Sequence, residues 1–166
     1  KVAGENSKES LFEIQADLGA NGVPDNGHEF GVEQGVRGSG DWDLGWGWNT
    51  PTDDLVNSYE AGDTRKAATI LFSGQDDGYG KTVPAYPTIP RLYWNKKVYP
   101  EPSMQTYTGR RQNAWLNHSL LRYSDVLLLA AEAANEIGGA TNQTNATTWV
   151  NMIRNRAGLG NISFTS

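Results

Sequence analysis

Hydrophobic positions recur with a helical period over the last part of the chain, between Leu120 and Leu159. On a 3.6-residue wheel, residues 120–137 form one broad apolar stripe, and further leucines appear on the opposite side among carboxylates. We therefore predict a helix over 120–137 that is buried on two sides. Gly138 and Gly139 would end it, because glycine readily adopts a positive φ at a helix C-terminus.

A second helix is predicted after a short polar loop at 140–144. We expect Asn145 to cap this helix, because asparagine side chains accept backbone N–H groups at helix N-termini. Gly158 would close it. Its apolar side chains are expected to face the first helix, and Arg156 falls inside that apolar arc.

Four charged side chains of this helical pair are candidates for a structural ion pair: Asp125, Glu132, Arg154 and Arg156. An unpaired buried charge is very costly. We therefore expect a carboxylate of the first helix to pair with an arginine of the second. A site for a charged ligand is the alternative, but ion-pair networks commonly serve structure alone.

The first half of the chain has weaker patterns. Alternation over Leu11–Ala16 predicts a half-buried strand. Residues 17–50 are rich in glycine and show no period, which predicts a long loop. Residues 51–62 predict a short helix, with Thr52 as its cap.

A strand-like run at 68–72 follows, and prolines exclude long helices from 73–107. Together these patterns predict a mainly α fold with long irregular loops and a few short strands. We predict one fragment of a domain over 1–166. Within it, residues 1–118 form a strand- and loop-rich region on the ligand side, and residues 119–158 form a helical hairpin that acts as scaffold.

One stretch of the long loop, DWDLGWGWN, carries the candidate binding residues: Trp42, Trp46, Trp48, Asp41, Asp43 and Asn49. Sugar CH groups stack on flat aromatic faces, and sugar hydroxyls bond to carboxylates and amides. We therefore predict that this stretch binds a carbohydrate. The alternative interpretation is that the tryptophans anchor the loop to the helical scaffold.

Composition and charge exclude several classes of protein. The chain has 166 residues, a net charge of −5 and no cysteine. The negative charge argues against nucleic acid or an anionic lipid surface as the main partner. Without cysteine there is neither a disulfide nor a thiolate metal site, and no apolar run is long enough to span a membrane.

Motifs for catalysis and cofactors are incomplete. Residues 78–82 end like a phosphate-binding loop, but an earlier glycine is missing and two aspartates precede it. Residues 41–43 begin like a calcium loop without its later ligands, so we predict no cofactor and leave an irregular calcium site open. A glycosidase would need two carboxylates at a set separation, for which only 41 and 43, or 53 and 54, are candidates.

Two runs in the helical pair closely resemble the helical signature of the SusD-like (RagB/SusD) family of outer-membrane nutrient-binding lipoproteins. The first run contains Arg122, Tyr123, Asp125, Ala131, Glu132 and Ala133. The second contains Asn151, Arg154, Arg156, Ala157 and Gly158. Residues 6–14 and 51–65 are similar to other segments of the same family.

The resemblance implies a tetratricopeptide-like helix pair that belongs to the scaffold. It also implies a cell-surface protein on the extracellular face of the bacterial outer membrane, which captures glycan or another nutrient and delivers it to a SusC-like, TonB-dependent transporter. Members of the family are longer on both sides, so we expect an internal fragment whose membrane anchor lies elsewhere. The functional hypothesis is thus non-catalytic ligand binding, and the alternative is a helical-repeat interaction scaffold without a small-molecule site.

Overall fold

The structure is a computed structural model that describes residues 7–16, 29–99, 101–103 and 116–163. Its helices are α1 (Phe30–Gln34), α2 (Asp53–Ser58), α3 (Thr64–Thr69), α4 (Tyr123–Ile137) and α5 (Ala140–Arg156). Its strands are β1 (Ser10–Ile14), β2 (Ile70–Phe72), β3 (Tyr93–Asn95) and β4 (His118–Arg122), with short 3-10 turns at Gly40–Trp42 and Lys96–Val98. The predicted mainly helical fold with a few short strands is confirmed.

Contacts group the described residues into two units. The first unit, here called the hairpin unit, contains β1, the turn Glu60–Thr64 and the described residues from Asn117 onward. The second, here called the loop unit, contains the described residues of 15–59 and 65–116. The predicted division into residues 1–118 and 119–158 stays a prediction.

Helix α4 begins where strand β4 ends, at a turn closed by Arg122 and Asp125. The Asp125 carboxylate accepts the backbone N–H of Arg122 at 3.0 Å and pairs with its guanidinium group at 2.7 Å. A carboxylate in the first turn is favoured by the helix dipole, and the hydrogen bond from the Arg122 side chain lowers the pKa of Asp125. The predicted helix start at Leu120 is wrong, because this residue belongs to β4.

The end of α4 is as predicted, with Gly138 at φ 74° and Gly139 at φ 83°. Both angles lie in the left-handed region that only glycine adopts at little cost. The two glycines reverse the chain within two residues, so α5 begins at Ala140 and lies beside α4.

The predicted loop at 140–144 and the predicted cap at Asn145 are wrong, because both lie inside α5. The polar side chains that suggested a loop make their hydrogen bonds within the helix. The hydroxyl of Thr144 donates to the carbonyl oxygen of Ala140 at 2.9 Å, and that of Thr148 donates to Thr144 at 2.8 Å. Because these hydroxyls bond to the preceding turn, a polar stretch can remain helical.

Small side chains form the contact between α4 and α5. Ala131, Ala134 and Ala146 are buried in one cluster, and Trp149 and Val150 pack against it. Alanine lets two helices approach closely and has the highest helix propensity. The predicted alanine-lined pair of helices is therefore confirmed.

Arginines near the end of α5 bind carboxylates from outside the helical pair. Both terminal nitrogens of Arg154 donate to the Glu60 carboxylate, and the longer contact is 2.9 Å. The Nε of Arg154 donates to the carbonyl oxygen of Gly160 at 2.8 Å. Arg156 pairs with Glu9 at 2.8 Å. The pKa of Glu9 is lowered by hydrogen bonds from Ser124 and Arg156, which oppose the effect of its burial.

The predicted ion pair between the helices is thus wrong in its partners. Asp125 binds Arg122 at the start of its own helix, and Glu132 is exposed. The more sheltered guanidinium belongs to Arg154, whose side chain is 18% exposed, whereas that of Arg156 is 54% exposed. The prediction considered only the helical pair, whereas the matching carboxylates lie far away in the sequence.

Strand β1 is extended as predicted and pairs antiparallel with β4. Its apolar side chains are not half-buried as predicted, because Leu11, Phe12 and Ile14 are each more than half exposed. Alternation therefore indicated the extended backbone correctly and the burial incorrectly.

The core of the loop unit includes residues of strands β2 and β3, which pair with Leu71 opposite Trp94. Trp94 is fully buried, and its Nε1 donates to Ser73 Oγ at 3.0 Å. A buried indole usually finds such a partner. The buried cluster consists of Val36, Leu44, Leu71, Val83, Ile89, Trp94 and Tyr99.

The predicted short helix after Pro51 is confirmed as α2. Thr52 Oγ1 accepts the backbone N–H of Leu55 at 3.3 Å, which is the predicted cap, and Val56 is the side chain that α2 buries. The strand predicted over 68–72 is shorter than expected, since α3 continues to Thr69 and β2 follows it.

Asp77 organises the loop between β2 and β3. Its Oδ1 accepts the backbone N–H groups of Tyr79 and Lys81 at 2.8 and 2.9 Å, and its Oδ2 accepts the hydroxyl of Tyr99 at 2.6 Å. Burial alone would raise the pKa of Asp77, but these hydrogen bonds outweigh burial, and the pKa lies below its ordinary value. Burial and the nearby Asp77 carboxylate raise the pKa of Tyr99.

We predict that Asp77→Asn lowers the free energy of unfolding by about 1–2 kcal/mol at pH 7, because hydrogen bonds to a charged acceptor are stronger than neutral ones. A lowered folded-state pKa stabilises the fold above the unfolded-state pKa of about 3.9, and that stabilisation is lost as the pH falls through the folded-state value. The difference between variant and unaltered protein should therefore shrink at pH 3. Urea unfolding at both pH values measures it.

Asp54→Asn is the matched control, because Asp54 is an exposed carboxylate of the same unit. Its loss of stability at pH 7 should be smaller than that of Asp77→Asn, because an exposed carboxylate in the first turn of α2 contributes only about 0.3–1 kcal/mol. An equal loss for Asp77→Asn at pH 7 and pH 3 would show that the carboxylate charge does not stabilise this loop.

Candidate functional site

Backbone hydrogen bonds hold the tryptophan-bearing stretch 44–48 against the segment 32–36. The N–H groups of Leu44, Trp46 and Trp48 donate to the carbonyl oxygens of Val36, Val32 and Glu33 at 2.9, 2.8 and 2.9 Å. Backbone bonds of this kind give an irregular segment a defined position. Of the loop predicted over 17–50, residues 17–28 lie outside the described residues, and 30–34 are helical, as α1. The stretch 44–48 is irregular as predicted, and these bonds anchor it.

Glycines make this close approach sterically feasible. A Cβ at Gly35 would collide with the carbonyl oxygen of Leu44, and a Cβ at Gly45 would collide with that of Val32. Gly47 has φ 69°, and a Cβ there would lie 2.9 Å from Cζ3 of the buried Trp94. The lack of periodicity in this region thus reflects backbone-to-backbone packing.

Trp46 and Trp48 present their rings to solvent on either side of Gly47. They are 55% and 58% exposed. Their ring centroids lie 6.4 Å apart with 27° between the ring planes, so the two rings are stacked. The two residues form an exposed aromatic surface on an anchored backbone, here called the indole pair.

An amide cluster lies next to the indole pair. Gln34 Oε1 accepts Nδ2 of Asn49 at 3.1 Å and Nδ2 of Asn95 at 2.7 Å. Asn49 has φ 50°, in the left-handed region where asparagine is tolerated best among residues with a side chain. Donors and acceptors of side-chain amides can bond to ligand hydroxyl groups.

Trp42 lies apart from the indole pair. It is half-buried against the core of the loop unit and stacks on Tyr99, with centroids 5.9 Å apart and 9° between the planes. This arrangement matches the alternative interpretation, in which a tryptophan anchors the loop to its scaffold. A role of Trp42 in ligand binding stays a prediction.

The structure brings three of the six predicted ligand-binding residues together: Trp46, Trp48 and Asn49. Asp41 is exposed, and its Oδ2 lies 3.8 Å from Nζ of Lys81. Asp43 is also exposed, and its backbone pairs with that of Arg37 in an isolated antiparallel β-bridge. Their roles as ligand contacts stay predictions.

Sequence reasoning missed Gln34 and Asn95, which complete the amide cluster. Strand alternation could have identified Asn95, because residues of a strand alternate between its two faces. Tyr93 and Asn95 flank the buried Trp94, so they share the opposite face of β3. Gln34 gave no such signal, since its helix is only one turn long.

An open groove of about 580 Å³ lies in the same unit. It is lined by Thr50, Pro51, Thr52, Asp53, Tyr86, Pro90, Arg91, Leu92 and Tyr93. The Tyr93 hydroxyl donates a hydrogen bond to the Asp53 carboxylate, and this bond raises the pKa of Tyr93. The groove combines aromatic and aliphatic surface with hydroxyl groups and one charge of each sign.

The described residues hold neither a membrane-spanning helix nor a cluster of metal ligands. No described helix has the length and apolar character needed to cross a bilayer. In the same ranges, histidine and acidic side chains nowhere gather in a group of three or more that would hold a metal ion. Calcium binding therefore stays an open prediction.

Comparison with known proteins establishes the family. The model of the SusD family matches residues 8–166. The chain belongs to the SusD family. The predicted family resemblance is thereby confirmed.

Similar proteins span a greater length than this SusD-family chain. The SusD-like protein P2 of Formosa agariphila is 28% identical over 137 residues, which cover 76% of this chain and 26% of that protein. A laminarin binding SusD-like protein has a TM-score of 0.71 and 26% identity, over 97% of this chain and 37% of that one.

Surface glycan-binding protein A from Bacteroides thetaiotaomicron, in complex with laminarihexaose, has a TM-score of 0.66 and 23% identity. The match covers 98% of this chain and 38% of that chain, and at this identity it shows the shared fold. The SusD-family chain therefore spans well under half the length of these proteins.

We predict that Gly47→Ala destabilises the loop unit by about 1–3 kcal/mol, because the new Cβ combines a strained φ with a clash against Trp94. Gly40→Ala is the matched control. Gly40 has φ 59°, and a Cβ added there would meet nothing within 4 Å. The loss of stability in Gly40→Ala should therefore come from backbone strain alone. Thermal unfolding compares the two variants, and equal losses would contradict packing over Trp94.

Proposed function

We propose that this chain is the part of a surface receptor that binds a glycan without breaking any bond in it. The observation that carries this proposal is the indole pair, Trp46 and Trp48, which is exposed on a backbone anchored to the segment 32–36. Two neighbouring aromatic rings exposed to water form an apolar patch of the kind that marks ligand or partner surfaces. Exposed aromatic rings suit the apolar faces of sugar units.

The amide cluster supplies the polar half of the proposed contact. Asn49 adjoins Trp48 in the chain, and Gln34 fixes the side-chain orientation of Asn49 through its hydrogen bond. Sugar hydroxyls both donate and accept, and amide groups provide both functions. Stacking and hydrogen bonding together would hold a neutral ligand without a metal or other cofactor.

The relatives support a carbohydrate ligand. Membership of the SusD family and the likeness to a laminarin binding SusD-like protein favour a glycan over other nutrients. Family membership also supports the wider proposal that the whole protein acts at the extracellular face of the outer membrane, through an anchor elsewhere in the protein. There it would deliver the glycan to a SusC-like, TonB-dependent transporter.

Two other functions have weaker support. An interaction scaffold without a small-molecule site would bury all three loop tryptophans, whereas only Trp42 packs against the core. A hydrolase would need an acid held protonated by apolar surroundings. Asp41 and Asp43 are both exposed, and Asp53 is bonded to Tyr93.

We predict that laminarin, included in a panel of neutral polysaccharides, binds the unaltered chain and quenches its tryptophan fluorescence. Trp46→Ala and Trp48→Ala should each weaken binding by about tenfold, which corresponds to about 1.4 kcal/mol for one lost aromatic surface. Isothermal titration calorimetry measures the affinities, since the substitutions themselves change the fluorescence.

Tyr79→Ala is the matched control, because Tyr79 is 52% exposed in the same unit and lies outside the indole pair and the groove. Its affinity should equal that of the unaltered chain. Binding that survives loss of both indoles, or no response to any polysaccharide, would refute the proposal. Release of reducing ends that stops on Asp41→Asn would instead favour the hydrolase.

A further inference from the structure

The open groove beside the indole pair has no role in the function proposed so far. Its exposed apolar surface comes from Tyr86, which is 58% exposed, and Leu92, which is 52% exposed. Exposed tyrosine and leucine at the mouth of a concave surface provide a face against which a flat ligand can pack. The groove therefore offers apolar surface on which a ligand can pack.

Its polar groups favour a neutral ligand with many hydroxyls. Asp53 and Arg91 contribute one charge of each sign, and Thr50 and Thr52 add hydroxyl groups. Asp53 already accepts the Tyr93 hydroxyl, but a carboxylate has further acceptor positions on its two oxygens. A strongly charged ligand would meet one unfavourable charge in either case, whereas a sugar would not.

Strand β3 connects the groove to the indole pair. Tyr93 and Asn95 lie on the same face of β3, since side chains two residues apart point to the same side. Tyr93 lines the groove, and Asn95 belongs to the amide cluster that also contains Asn49. The two sites are therefore joined by one row of side chains.

The chain itself shows the same continuity. Trp48 belongs to the indole pair, and Thr50, two residues later, already lines the groove. Two residues of extended chain span at most about 7 Å, which is similar to the length of one or two sugar units. One chain of several sugar units is therefore long enough to reach both surfaces.

We infer that the groove is an extension subsite, which holds further units of a neutral glucan chain whose first units lie on the indole pair. This inference rests on the proposed function, and it adds that the bound segment is longer than a disaccharide. A chain long enough to reach the groove gains contacts with Tyr86, Leu92 and Tyr93. A disaccharide on the indole pair gains none of them.

The test compares laminaribiose with laminarihexaose by isothermal titration calorimetry on the full chain. The unaltered protein should bind laminarihexaose more tightly than laminaribiose. Tyr86→Ala and Leu92→Ser should each weaken laminarihexaose binding about three- to tenfold, the effect expected for one lost apolar contact surface. Neither substitution should change laminaribiose binding, and Tyr79→Ala should change neither.

Each other outcome overturns the inference. The inference fails if the unaltered protein binds the two sugars with equal affinity or does not bind laminarihexaose. It also fails if both groove variants leave laminarihexaose affinity unchanged, or if they lower the affinity for both sugars equally. Trp46→Ala separates this inference from the proposed function. If it weakens binding of both sugars while the groove variants weaken neither, only the extension subsite fails.

Discussion

The close approach of segment 44–48 to segment 32–36 over the buried Trp94 is the constraint on which the candidate site depends. It requires glycine at 35, 45 and 47, where any side chain would strike backbone or the indole of Trp94. The backbone hydrogen bonds that result place two tryptophans in solvent without a regular helix or strand to carry them. Rigidity in this loop therefore comes from backbone packing, which also fixes the backbone that carries the exposed rings.

Periodicity predicted the parts of the fold that local physics determines. The long helix α4, its glycine stop and the threonine cap of α2 follow from neighbouring residues, and all three are present. The start of α5 and the partners of Arg154 and Arg156 were mispredicted, because tertiary contacts decide them. Polar residues form a helix there since Ala146 packs into the hairpin core, and the carboxylates come from segments distant in sequence.

In the candidate site, too, local sequence predicted some features and tertiary contacts decided the others. A cluster of tryptophans among glycines was enough to select a candidate stretch, but composition could not separate the indole pair from Trp42. That separation depends on which ring meets the core, and Trp42 does so through Tyr99. The groove could not be predicted from the sequence, because its lining comes from three segments that approach one another only in the folded loop unit.

The most direct test of the central claim is hydrogen exchange of individual amides in the absence of ligand. If backbone packing fixes the indole pair, the N–H groups of Leu44, Trp46 and Trp48 exchange slowly in the free protein, because each is bonded to a carbonyl oxygen of the segment 32–36. Addition of laminarin should then slow them little further. Fast exchange of Trp46 and Trp48 that becomes slow only with laminarin would contradict the account, since the ligand would then be ordering the loop.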